Sequence, residues 1–188
     1  MKFPSHDQDS APEASKPLLA QSQKAFGRLP GLHKVLAESP QAYEGYQLLH
    51  KLFTETDFDA EELTVVWQSI NVEHACHYCV PAHTGIAKMM KVSDDISEAL
   101  RNETALPTAK LEALRTFTVQ MVRARGNVSQ AEMKAFFDAG YGHRAVLDVI
   151  LGLAQKTMSN YVNHVAETPV DEVFHPLAWQ RGDTPLKV

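Results

Sequence analysis

The stretch Cys76-His77-Tyr78-Cys79-Val80-Pro81-Ala82-His83 concentrates the reactive side chains of this chain. It holds both cysteines of the 188 residues, spaced Cys-x-x-Cys, with His83 one helical turn beyond the second. On a helix, positions i, i+3 and i+7 share a face, so two sulfurs and an imidazole are expected to converge. The chemistry that such a pair supports is a reversible dithiol–disulfide couple. Near a helix start, free amide N–H groups and the positive end of the dipole stabilise a thiolate. A thiolate that meets a peroxide becomes a sulfenic acid. The neighbouring thiol condenses with it to a disulfide, and an external reductant reopens that bond. His83 is placed to pass a proton to the leaving oxygen.

Acidic partners stand upstream. Glu62 and Glu73 are eleven residues apart, which at about 100° per residue returns to nearly the same helix angle. Either is a candidate to orient a histidine or a cysteine. The plainer reading is that Glu61 and Glu62 favour a helix start and that Glu73 is solvated. A zinc site would need Cys76, Cys79 and His83 with His74 or His77 as the fourth ligand. Structural zinc usually draws its second ligand pair from a distant segment, so no metal is expected. A c-type haem needs His directly after the second cysteine, where Val80 stands. A thioredoxin-like pair would follow a strand, and the segment before Cys76 reads as helix. Inert buried cysteines remain the structural alternative, although this clustering with histidine is not typical of a plain core.

The elements that must position these residues read as helices. Ser39-Pro40 is an N-cap and first helical residue, with the helix running to about Phe53. Asp59 caps the next, whose stripe is Leu63, Val66, Trp67 and Ile70. The cysteine helix follows, continuing through Met90. Ser93 caps a short helix, Pro107 starts a long one ending at Gly126, and Ser129 caps another ending at Gly140. The last runs from about His143 to Ala166. No strand-type alternation of useful length occurs. The fold class is therefore all-α. A capped helix followed by a longer one recurs at Asp59–Met90 and Ser129–Ala166, which hints at an internal duplication of helical hairpins. Trp67, Phe117, Phe136 and Phe137 read as core. Asn160 and His164 share a face near the end of the last helix, where a histidine commonly offsets the dipole.

Composition bounds the rest. With 44% hydrophobic and 22% charged residues, the chain suits one globular domain. Residues 1–17, with Pro4, Pro12 and Pro17, read as a flexible arm. Residues 18–168 read as the helical domain, and 169–188 as a tail that packs on the domain or on a neighbouring subunit. A net charge of -5 with no basic run argues against nucleic acid as a partner. The opening residues lack an apolar h-region, and the apolar run Ala145–Ala154 is interrupted by Asp148 and too short for a membrane span. A cytoplasmic protein is expected, and there a two-cysteine pair is more often catalytic or metal-binding than a structural disulfide.

A capped helix carrying Glu, followed by Cys-x-x-Cys-x-x-x-His, resembles the AhpD-like alkylhydroperoxidase branch of the carboxymuconolactone decarboxylase family. Residues 62–91 carry the match. The resemblance implies an all-α, oligomeric protein with thiol-dependent peroxidase activity and no cofactor, acting on a hydroperoxide and a thiol or dithiol reductant. It implies that Cys79 is oxidised, that Cys76 resolves, and that His83 joins a proton relay. That relay includes a glutamate roughly a dozen residues before the first cysteine. Thr64 lies near that position here, so Glu62 or Glu73 would have to serve. Tyr78 stands where well-known members carry a second histidine, and a phenol carries protons poorly near neutral pH. The alternatives are a non-catalytic redox-responsive or interaction protein on the same scaffold and, ranked lower, a lactone decarboxylase.

The segment from Pro107 to Gly126 adds an argument for assembly. Leu111, Leu114, Phe117, Val119, Met121 and Val122 spread around its axis, which predicts burial on two sides and hence a homo-oligomer.

Overall fold

The computed structural model describes residues 3–182. Nine α-helices occur among the described residues. They are α1 Lys16–Phe26, α2 Gly31–Leu36, α3 Pro40–Thr54, α4 Ala60–Glu73, α5 Cys79–Met89, α6 Asp94–Arg101, α7 Ala109–Arg123, α8 Gln130–Asp138 and α9 His143–Val165. Short 3-10 turns at Glu13–Ser15 and Glu172–Leu177 flank them, and no strand occurs among the described residues. The caps act as their residue types dictate. Asp59 Oδ1 accepts from the Glu62 N–H at 2.9 Å while the Glu62 carboxylate accepts from the Asp59 N–H at 3.2 Å, a reciprocal box that starts α4. Ser129 and Glu132 repeat it on α8. Helix α7 begins two residues after Pro107, on a Thr108 cap.

Helix α4 is the hub, with α5, α6, α7 and α9 packed around it. Every residue from Glu62 to Val72 is buried. Trp67, Ile70, Leu114 and Val149 centre the core, beside a stack of Phe117, Phe136 and Tyr141 with ring spacings of 4.0 and 4.5 Å. Gly152 lets α9 approach closely: a Cβ there would lie 2.7 Å from Phe53 Cε2 and 2.9 Å from Val66 Cγ1. A second apolar layer, Leu19, Leu32, Leu36, Tyr43 and Tyr46, joins α1–α3 to the turn that holds Cys76 and Cys79.

Three features differ from the sequence reading, and a fourth concerns which of the two expected placements the tail takes. The N-terminal arm is docked: Ala11 and Ser15 are buried, Ser15 Oγ donates to the Ala37 carbonyl at 2.6 Å, and α1 begins inside the stretch read as arm. Cys76–Tyr78 form a turn, so α5 has 11 residues against 14 in α4. The repeat of a capped helix and a longer one therefore holds for α8–α9 and not for α4–α5. Helix α7 turns Leu111, Leu114, Phe117 and Met121 to one buried face, with Val119 and Val122 only partly covered, so its apolar residues are not buried evenly around the axis within the chain. The tail lies on its own chain through residue 182: Trp179 Nε1 donates to the Arg101 carbonyl at 2.9 Å, and Phe174 covers Gly85 of α5. The part of the tail beyond 182 lies outside the described residues.

Candidate active site

The cysteine turn is made by the way α4 ends. His74 is its last helical-type residue and Ala75 adopts a left-handed φ of 50°. The Ala75 N–H then bonds the Val72 carbonyl and the Cys76 N–H bonds the Asn71 carbonyl, both at 2.9 Å. This is a Schellman closure without its usual glycine. The Cys76 carbonyl accepts from the Val80 N–H at 3.1 Å, so the hydrogen bonding of α5 starts at Cys76. Cys76 Sγ also receives the Cys79 N–H at 3.4 Å, as an N-cap side chain receives the third amide of its helix. Cys79 thus sits in the first turn, where the dipole favours negative charge. Both thiols are free and buried.

The surroundings separate the two sulfurs. Burial pushes the Cys79 thiol up, but the Cys76 thiol, the Lys156 ammonium and the amides of Asn163 and Asn160 outweigh it and hold Cys79 well below its ordinary value. Asn163 Nδ2 donates to Cys79 Sγ at 3.3 Å. Cys76 is raised, first because it donates to the Cys79 sulfur and then because it is buried. Asn160 is fixed by Asn71, whose Oδ1 accepts its amide at 2.9 Å, and by His74 at 2.9 Å.

His83 is buried in α5 and its Nε2 accepts from Lys156 Nζ at 2.8 Å. Burial, then Lys156, keep it neutral. Lys156 itself is 1% exposed and has no carboxylate within ion-pair distance among the described residues. Burial lowers its pKa, and Cys79 and Cys76 raise it back. Lys156 of α9 thus bonds His83 of α5 and is among the groups that lower the Cys79 thiol. Its position against Nε2 also takes the lone pair that a metal would need from His83.

These groups face a cavity of about 330 Å³. Cys79, His83 and Lys156 line it from one side, and Phe26, Leu32, Tyr46, Ile86 and Phe174 make much of the remaining wall. Tyr78 lines it too, but its hydroxyl donates to Asp171 Oδ2 at 2.9 Å and accepts the Leu32 N–H at 3.2 Å. The phenol ties the tail to α2. Arg28 completes the tie, bonding Asp171 at 2.7 Å and lying 5.0 Å from the Phe174 ring centre.

The structure does not bring either glutamate to the cysteines. Glu62 accepts from Tyr141 at 3.1 Å and pairs with Lys110 at 2.8 Å. Glu73 takes a two-pronged Arg123 at 2.8 Å and lies 3.7 Å from Arg181. Neither lines the cavity. The residues that reach the sulfurs instead come from α9. Gln155, Lys156, Ser159, Asn160 and Asn163 are all buried, while Leu147, Ile150, Tyr161 and Val165 on the other side are exposed. From Gln155 onward the buried face of the helix is polar, while Val149 and Gly152 before it face the apolar core. The sequence carries that polar stripe as Lys156, Asn160 and Asn163 at i, i+4 and i+7.

No protein-family model and no curated protein sequence matches the chain. Solved structures do. An uncharacterized peroxidase-related protein from Ralstonia eutropha JMP134, described as an alkylhydroperoxidase AhpD core, superposes with a TM-score of 0.77 at 19% identity over 92% of this chain and 93% of its own. An uncharacterized peroxidase-related protein from Silicibacter sp. TM1040 gives 0.79 at 17% identity over 93% of each chain. The debrominase Bmp8, in complex with 2,3,4-tribromopyrrole, gives 0.78 at 13% identity over 94% of this chain and 95% of its own. With its all-helical order, these superpositions show that the chain has the AhpD-like all-α fold.

Proposed function

We propose that the protein is a cytoplasmic dithiol oxidoreductase that reduces hydroperoxides, with Cys79 as the attacking thiolate and Cys76 as the resolving thiol. The observation that carries this reading is the buried Lys156, which bonds His83, has no carboxylate paired to it among the described residues, and helps to lower the Cys79 thiol. The thiolate attacks the terminal oxygen of R–O–O–H, so an S–O bond forms and the O–O bond breaks. The alkoxide takes the proton on His83 Nδ1, and Lys156 returns one to His83 Nε2. Cys76 then condenses with the sulfenic acid, releasing water and leaving a disulfide that an external dithiol reduces. Lys156 does the work that the sequence reading assigned to Glu62 or Glu73, and Tyr78 serves as a wall of the cavity.

A panel of hydroperoxides with intact-mass detection tests this. Wild type should pass to the disulfide, Cys79→Ser should be inert, and Cys76→Ser should stop at a trappable sulfenic acid. A wild type no faster than Cys79→Ser would leave only a non-catalytic, redox-responsive scaffold. A sulfenic acid trapped on Cys76 would reverse the roles.

The superposition with a debrominase, together with the apolar cavity beside Cys79, supports a second reading. Replacing C–Br by C–H consumes two electrons and a proton and releases bromide. The same dithiol would supply the electrons as it closes to a disulfide. A brominated pyrrole in the panel, with bromide release as readout, separates the two.

A further inference from the structure

Two imidazoles on the cavity wall have proton positions fixed by their neighbours. Trp67 Nε1–H can only donate, and it donates to Gln155 Oε1 at 2.7 Å. The Gln155 amide is thereby oriented, and its Nε2–H faces His50 Nδ1 at 3.3 Å. His50 Nδ1 must accept, so its proton lies on Nε2. Likewise Lys156 occupies His83 Nε2, so the His83 proton lies on Nδ1, a buried atom that has no hydrogen-bond partner. His50 Nε2 has none either among the described residues. Trp67 holds both rings, with centroid distances of 5.6 Å to His50, stacked, and 4.9 Å to His83. Both residues line the cavity with Cys79. Burial, then Lys156, depress His50 to about 4, so it stays neutral and cannot itself become an acid for thiolate protonation at neutral pH.

An N–H donor with no protein partner beside a cavity can take an acceptor there. Here two such donors belong to residues that line one cavity with Cys79, the His83 donor buried and the His50 donor accessible. We propose that His50 Nε2–H and His83 Nδ1–H form a two-donor cradle for the oxygen that leaves when Cys79 attacks, with His50 as a further catalytic residue and Gln155 and Trp67 as its positioning residues. This rests on the hydroperoxide reading given above. In the step, R–O⁻ departs as the O–O bond breaks. His83 supplies its proton, and His50 donates a hydrogen bond throughout and keeps its own.

The test uses the reduced full-length chain. Replacing His50 by Phe keeps a ring against Trp67 and removes the donor, and His50→Gln restores an N–H. The rate of Cys79 oxidation by cumene hydroperoxide should fall about a hundredfold in His50→Phe, the scale for losing one such donor, and recover in large part in His50→Gln. Alkylation of Cys79 by iodoacetamide, which has no leaving oxygen, should be unchanged. Equal losses in both reactions, or a His50→Phe as fast as wild type, would overturn the cradle while leaving the peroxidase reading standing. A second arm needs no turnover. Nitrogen-15 spectra of the ring should find the His50 proton on Nε2, and 2-phenyl-2-propanol should shift the His50 and His83 N–H signals in wild type and leave His83 unshifted in His50→Phe. A wild type inert to every hydroperoxide but showing those shifts would keep the cradle and sink the peroxidase. A His50 protonated on Nδ1 would sink the cradle alone.

Discussion

At the scale of single residues, the site depends on one lysine. Sequence exposed the sulfurs and His83 because cysteine spacing is rare enough to carry information, and a Cys-x-x-Cys with a histidine one turn later has few other uses. Lys156 carried no such signal. A lysine on a helix is usually solvated, and only the packing of α9 against α4 and α5 reveals that this one is buried. The glutamates misled for the opposite reason: their periodicity was real, but Lys110, Tyr141 and Arg123 hold their carboxylates elsewhere. The buried ammonium gives a signed prediction. In Lys156→Met the Cys79 thiolate loses its counter-charge and the thiol pKa rises. The pH curve of Cys79 alkylation should therefore move to higher pH. At pH 7 the rate should fall by at least about tenfold, since each unit is a tenfold loss of thiolate, and recover in alkali. A curve that stays in place would mean that the dipole of α5 and the Asn163 amide suffice.

At the scale of elements, caps were the legible part. Ser39, Asp59, Ser93 and Ser129 each accept from an amide in the first turn of the helix they open. Turns closed by non-glycine residues were not legible. Ala75 takes a left-handed conformation that alanine seldom adopts, so nothing in its type announced that α4 stops there and that Cys76 falls in a turn. Gly152 is the converse case, a glycine within a long helix whose reason lies in the packing. Its Cα faces Phe53 and Val66 too closely for a methyl group. Gly152→Ala trades better helix propensity against overpacking, and the clash should win. We expect a net loss of about 1–3 kcal/mol in denaturant unfolding, with the midpoint lowered and the slope unchanged. A stabilised variant would show that Phe53 has room to turn aside.

At the scale of the whole molecule, assembly is expected for a different reason from the one the sequence suggested. Helix α7 buries four of its six named apolar residues within the chain, whereas α9 leaves Leu147 at 66% and Val165 at 67% exposure, with Ile150 and Tyr161 between them on the same side. Leu48 and Leu52 of the adjoining α3 are also exposed. We expect a homo-oligomer that covers this stripe. Light scattering at micromolar concentration should give at least twice the 20.9 kDa chain mass, and Leu147→Glu with Val165→Glu should lower it. A monomer in wild type would refute it. The same helix carries Lys156 on its inner side, and that placement reaches the electrochemistry of the molecule. On the proposed reading the Cys79 thiolate balances the ammonium in the dithiol form; closing the disulfide would remove that anion and leave burial, which lowers the lysine pKa. The lysine should then shed its proton, along with the one lost by Cys76. Two protons would leave with two electrons. For a two-electron couple each proton contributes about 30 mV per pH unit, so the midpoint potential should fall by about 60 mV for every unit of alkalinisation near neutrality. A lysine that kept its charge would halve that slope. The disulfide would then be easier to reduce in acid, and the oxidising strength of the protein would follow the proton concentration around it.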